Sequence, residues 1–358
     1  MLLKGVILKI YNDLIEFILE YGSANLRYRV YKEILGEPCD SDKMMQLQEE
    51  ILKLPKVKKA FSVQKESGFL GNVIHGIYFD GFDSTVNLLK RNGVELTNPN
   101  MQRAKDSLLN WTDYEKDHFY KGGNFMDEYG RGGFRAIIAD LLVELGCDEN
   151  EPMIQTQINY ALEHFEGALL HTSIDDFTRP VRFQGKNVRY YIKDCKFPAA
   201  NHVQILSKTS SWRSEENIEM VRRSYEHCKK IASEYDGFIY INCGYLLGPF
   251  NHNWKSGIID DVHAFDSNPI DFAWWMRSLA SATETKPITY EPTSGIGQGI
   301  LDWIFSDDLL SELTDEHIRL FKKFASLEPA WRKKESMLCD IYFPIVLGIK
   351  KSGLADKC

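Results

Sequence analysis

The chain has no basic run long enough to follow a phosphate backbone. Its 43 Lys and Arg stand against 51 Asp and Glu, a formal net charge of −8 over 358 residues, and nucleic acid is therefore not an expected partner. No CxxC pair occurs among the seven cysteines, at 39, 147, 195, 228, 243, 339 and 358. An odd, scattered set of this kind is not a disulfide framework, and it predicts a reducing, cytoplasmic setting. No stretch approaches the roughly 20 uncharged apolar residues of a membrane span. HExxH, G-x-x-x-x-G-K-[ST] and G-x-S-x-G are all missing, which removes the simplest routes to a zincin, a P-loop enzyme or a serine hydrolase.

What is present is a globular composition, 44% hydrophobic and 26% charged, long enough to bury a full core. The opening MLLKGVILKIYNDLIEFILEYG is cut too often by Lys4, Lys9, Asp13, Glu16 and Glu20 to be a signal segment. Its Leu3, Val6, Ile7, Ile10, Leu14, Ile18 and Leu19 recur at helical spacing and predict an amphipathic packing helix. Asn110-Trp111-Thr112 is a glycosylation sequon without a secretory route.

A plan repeats along the chain. Residues 84–110 and 137–164 each read as a helix, Leu-Leu-x-x-x-Gly, a polar turn with proline, and a second helix. Gly93 and Gly146 fall where a helix ends in a left-handed residue, and Pro99 and Pro152 fall where the next one starts. Looser copies are AANHVQILSKTSSW leading into SEENIEMVRRSYEHCKKIASE, PIDFAWWMRSLASAT leading towards TDEHIRLFKKFASL, and CDIYFPIVLGIKKSG, in which Pro344 must lie in the first turn or kink the helix. With NLRYRVYKEILG these give six first helices, near 26, 83, 134, 200, 270 and 340. The first helix of each pair is the richer in apolar and aromatic residues. Six hairpins predict an all-α, (α/α)6 toroid with an inner and an outer ring, one domain over 1–358 with a loop excursion at 236–268. An open helical solenoid would satisfy the same hairpins.

Between two such helices, VQKESGFLGN (63–72) forms a Q-x-x-x-G-x-x-G turn. The turn and the hairpin plan resemble the prenyltransferase and squalene cyclase superfamily of α/α toroids, whose Gln-x-x-x-Gly-x-Trp motif links adjacent repeats. Gln64 and Gly68 match, and Leu70 stands in place of Trp. The resemblance implies a cavity for a small, partly apolar ligand. It does not extend to the D-x-D-D or D-D-x-x-D acids of terpene cyclisation, which this chain lacks.

Residues at the heads of inner helices would surround such a cavity, where helix N-termini favour anions. The expected acid–base groups are Asp83, Asp261, Asp266 and His202; the expected substrate walls are Phe82, Phe134, Arg135, Trp254, Trp274, Trp275 and Tyr342. Aromatic faces stabilise cations or stack on sugar rings, and carboxylates move protons. The loop 236–268 would close over them as a lid. Zinc is a candidate cofactor, because the superfamily's protein prenyltransferases hold it with Asp, Cys and His, and Asp194, Cys195 and His202 lie close in sequence. Three functions fit: a cyclase-like or lyase-like enzyme on a small-molecule ligand, a carbohydrate-active (α/α)6 enzyme with two facing acids, or a non-catalytic binding protein or scaffold.

Overall fold

Helical hairpins dominate the computed structural model, which describes residues 2–233 except 113 and 184, then 235, 238–241, 245–249 and 313–351. The N-terminal helix α1 (Leu2–Tyr21) leads into α2 (Ala24–Arg29), which continues as a wider π-type segment (Val30–Leu35) and ends at Gly36 with φ 71°. Two shorter helices follow, α3 (Asp42–Lys53) and α4 (Pro55–Ser62). Next come α5 (Phe82–Arg91) with α6 (Pro99–Leu109), then α7 (Tyr120–Glu128), α8 (Phe134–Glu144) and α9 (Pro152–Ala168). After a sheet hairpin the chain forms α10 (Ala200–Lys208) and α11 (Glu215–Ser233), and near the end α12 (Asp315–Phe324) and α13 (Lys334–Lys351).

The repeat predicted from sequence is visible in its punctuation. Gly93 and Gly146 follow the ends of α5 and α8 with φ of 76° and 73°, and Pro99 and Pro152 open α6 and α9. These are the positions where a left-handed residue ends a helix and where a missing N–H is harmless. At the head of α12, the N–H of His317 donates to Thr314 Oγ1 at 3.4 Å and the N–H of Thr314 donates to His317 Nδ1 at 3.3 Å. One boundary differs from expectation. α13 begins at Lys334, not at Cys339, so Pro344 sits in its interior and cannot donate to the carbonyl of Asp340.

The all-α expectation is corrected by a four-stranded sheet. β1 (Thr178–Phe183) and β2 (Lys186–Tyr191) pair antiparallel, with Gly185 before β2 at φ 77°. β2 then pairs parallel with β3 (Phe238–Ile241), and β3 pairs antiparallel with β4 (Tyr245–Pro249). TRPVRF and KNVRYY are too short and too rich in Val, Tyr and Phe for helix, and Pro180 is tolerated because β1 is an edge. The start of the expected excursion at 236–268 is thus a strand pair; residues 250–268 lie outside the described residues.

Two apolar cores organise the helices. The larger collects Phe82, Val86 and Leu89 of α5, Phe134, Ile138 and Leu142 of α8, Ile154, Ile158 and Phe165 of α9, and Val203 and Leu206 of α10. The smaller joins the two ends of the described chain: Tyr11, Ile15 and Ile18 of α1, with Leu26, Val30 and Ile34, meet Phe321 of α12 and Ile341, Ile345 and Ile349 of α13. A buried polar clasp reinforces that junction. Asp340 accepts from the N–H groups of Leu327 and Glu328, from Ser326 Oγ and from Trp331 Nε1. The loop so held receives Asn25 Nδ2 on the Leu327 carbonyl and Arg91 Nη2 on that of Ala325, while Glu328 accepts the Ser23 N–H. Lys90, Glu144, Lys208 and Asp140 form one ion cluster across α5, α8 and α10. Among the described residues no helix is long and apolar enough to cross a membrane.

Candidate functional site

Asp83 lies in the first turn of α5, at the end of a loop that folds back on itself. The N–H groups of Asn72 and Val73 donate to the Asp80 carbonyl, and those of Phe82 and Asp83 donate to Val73 and Ile74. Gly76 and Gly81 touch at the neck: a Cβ on Gly81 would stand 2.5 Å from the Gly76 nitrogen, so only glycine fits. This closure brings His75 onto Asp83. His75 Nδ1 is 2.6 Å from Asp83 Oδ2, while Asp83 Oδ1 accepts the N–H groups of Ser84 at 2.6 Å and Gly76 at 3.3 Å. The carboxylate is thereby fixed before it meets the imidazole. The hydrogen bond to Asp83 holds His75 above its ordinary pKa, against the opposing effect of partial burial. With Nδ1–H given to Asp83, the other ring nitrogen of this half-exposed side chain is the one that exchanges protons.

Aromatic side chains stand beside the dyad. The Phe119 ring is 4.9 Å from that of His75 and 6.5 Å from that of Phe134. Tyr120 meets Phe134 edge-on at 5.4 Å, and Trp111 lies 5.7 Å from Phe134 and 5.0 Å from Phe69, which in turn packs on Phe82 at 4.7 Å. Asp117 ties the two halves: its buried carboxylate accepts the Ile74 N–H at 2.6 Å and the Phe119 N–H at 2.8 Å. Asp127 organises the head of α8 in the same manner, accepting from Gly133 at 2.8 Å and from Arg135 at 2.9 Å. Burial pushes its carboxyl up, and those backbone bonds oppose the rise.

Of the residues expected from sequence, Asp83, Phe82, Phe134 and Arg135 come to this one region, on the heads of α5 and α8. Phe82 and Phe134 are buried and form the back of the wall rather than its face; Arg135 is exposed. Tyr342 is elsewhere, in α13 against Phe17 at 5.4 Å. Asp261, Asp266, Trp254, Trp274 and Trp275 lie outside the described residues. The expected zinc trio is not assembled: among the described residues no three His, Cys, Asp or Glu side chains are grouped to hold a metal. His202 is buried with its Nδ1 accepting the Ala199 N–H at 3.0 Å, and the Cys195 thiol turns to the Asp176 carbonyl at 3.7 Å. The helix head at Ala200 uses the imidazole as a cap, and Asp194, Cys195 and His202 serve different neighbours.

His75 was not among the expected residues. The trace it leaves in sequence is HGIYFDGFD, a histidine and an aspartate separated by a turn with glycine at each end. Ser84, next to the aspartate, does not complete a nucleophilic triad, because its hydroxyl is committed to the carbonyls of Tyr78 and Gly81. No protein family, curated protein or solved structure matches the chain.

Proposed function

We propose that the protein is an enzyme of α/α-toroid architecture that acts by proton transfer on a small, partly apolar ligand. The observation that carries this reading is the His75–Asp83 pair, an oriented imidazole at a helix head with aromatic rings beside it. Such a pair delivers or removes one proton, and ring faces stabilise the cationic centre that protonation of an apolar substrate creates. Support for the ring comes from the packing of α13 on α1 and α2, which joins the ends of the helical series, and from the order in which α5, α8 and α10 neighbour one another. Support for the likeness to the prenyltransferase and squalene cyclase superfamily comes from Gln64: its Nε2 donates to the Gly68 carbonyl and to the Asn100 carbonyl, both at 2.8 Å, joining the turn to the first residues of α6.

The test is a screen of prenyl alcohols, prenyl diphosphates and olefinic terpenoids by mass spectrometry, with His75→Asn and Asp83→Asn beside the parent protein. Turnover by the parent should fall by about 100-fold or more in His75→Asn, the range expected for loss of a general acid. Because Asp83 favours the protonated imidazole, activity that needs the acid should fade as pH rises through the raised pKa of His75. In Asp83→Asn that decline should move to lower pH. Turnover unchanged in His75→Asn, with the fold intact, would overturn the assignment.

A further inference from the structure

Behind the aromatic wall, Arg131, His164 and His202 form a buried cluster that the dyad does not use. His164 on α9 and His202 in the first turn of α10 are each 1% exposed, with ring centroids 4.5 Å apart and planes tilted by 34°. Nδ1–H of His164 donates to the Tyr160 carbonyl at 2.8 Å. Because Nδ1 of His202 accepts the Ala199 N–H, its proton belongs on Nε2, an atom with no hydrogen-bond partner. The turn at 129–133 closes over the pair. A Cβ on Gly130, whose φ is 64°, would stand 2.4 Å from His164 Nε2, and one on Gly132, φ 71°, would fall 1.9 Å from Asn201 Cγ. Arg131, in the middle of that turn, is itself buried; its Nη1 donates to the Phe197 carbonyl and its guanidinium lies 4.5 Å over the Tyr191 ring.

The charges that act on the two rings are cationic. Arg131 from the turn and Lys196 from the segment before α10 are the charges that act on both. The Tyr160 ring packs on His164 at 4.5 Å, and burial raises Tyr191 on β2 and Cys228 on α11, both of which feel Arg131. Glu163, the partner of Lys196 at 3.1 Å, is more than half exposed. A proton placed on either imidazole would be buried beside Arg131 and Lys196 without a carboxylate to receive it.

We propose that this cluster is an acid-sensitive latch: neutral His164 and His202 hold the 129–133 turn shut, and protonation releases that turn together with the head of α8. The sign follows from linkage. Burial first, then the nearby cations, lowers His164 to about 4 and His202 well below its ordinary value, so the open state binds more protons than the closed one. The closed state is therefore at full strength above the ordinary histidine pKa near 6.5 and weakens as pH falls below it. Each ring contributes about tenfold to the opening equilibrium between pH 7.5 and 5.5, and the two together about a hundredfold. Release reaches Phe134, the next residue, on which Trp111, Phe119 and Tyr120 converge. The latch does not depend on what the dyad catalyses.

Hydrogen exchange read by mass spectrometry, expressed as protection factors to remove the intrinsic pH dependence of exchange, tests this on the full chain. Protection over 129–137 should drop about a hundredfold from pH 7.5 to 5.5, while α3 and α6 stay unchanged. In His164→Phe, which keeps the ring shape and removes one titrating group, the drop should shrink to about tenfold. His202→Asn, which keeps an acceptor for the Ala199 N–H, should do the same. Constant protection in the parent protein, or a loss shared equally by every helix, would sink the latch even if neither variant folds. An undiminished hundredfold drop in a folded His164→Phe would sink it too.

Discussion

At the scale of single residues, two glycines that end equivalent helices are set apart by what surrounds them. Gly93 and Gly146 both need a left-handed backbone, and alanine at either should lower stability by about 1 kcal/mol for that reason alone. A Cβ on Gly93 would also press on the buried Tyr28 ring at 3.0 Å, whereas one on Gly146 meets only the Leu96 methyl at 3.3 Å. Tyr28 is fully buried and hydrogen-bonded to Glu95, so it cannot move aside as a leucine tip can. Gly93→Ala is therefore expected to lower the thermal midpoint more than Gly146→Ala; equal losses would show that backbone conformation alone matters at both sites.

Among the elements, α8 depends on a cap from outside its own leading sequence. Gly133, the residue before it, has no side chain to accept the free N–H groups of the first turn. Asp127, at the end of α7, supplies both oxygens instead. Asp127→Ala should cost about 1 to 2 kcal/mol, and Asp127→Asn should recover part of it through the remaining carbonyl oxygen. Chemical denaturation of the three proteins measures this; no loss in the alanine variant would mean that water caps the helix equally well. The dyad shares this dependence on tertiary support, since the loop bearing His75 is moored by Asp117 to the segment that bears Phe119.

At the scale of the whole molecule, the first helices pack against the last described ones. The smaller core and the clasp around Asp340 bind α12 and α13 to α1, α2 and α5 across some three hundred residues of chain, as the Asn25 to Leu327 and Ser23 to Glu328 bonds show. Asp340→Ala would leave the N–H groups of Leu327 and Glu328, the Ser326 hydroxyl and the Trp331 indole without their acceptor. Orphaning several buried donors at once should lower stability by about 3 kcal/mol or more and shift Trp331 emission towards that of an exposed indole. A loss below about 1 kcal/mol would show that the clasp is incidental to this junction.

The sequence by itself determined the local half of this protein. Helical spacing, glycines at helix ends and prolines at helix starts are preferences of a few consecutive residues, and α5, α6, α8 and α9 appear where those signals predict them. The Gln64 turn was legible for the same reason, since its first bond, to Gly68, spans only four residues. Tertiary structure decided what depends on residues distant in sequence. The strands at 178–191 carried too short a pattern to stand out among helices, and they are held by pairing with a segment some fifty residues later. Asp194, Cys195 and His202, close in sequence, were separated by the demands of a helix cap and a buried imidazole. His75 and Asp83, eight residues apart with no helical or strand spacing between them, were joined only because two glycines let the backbone touch itself.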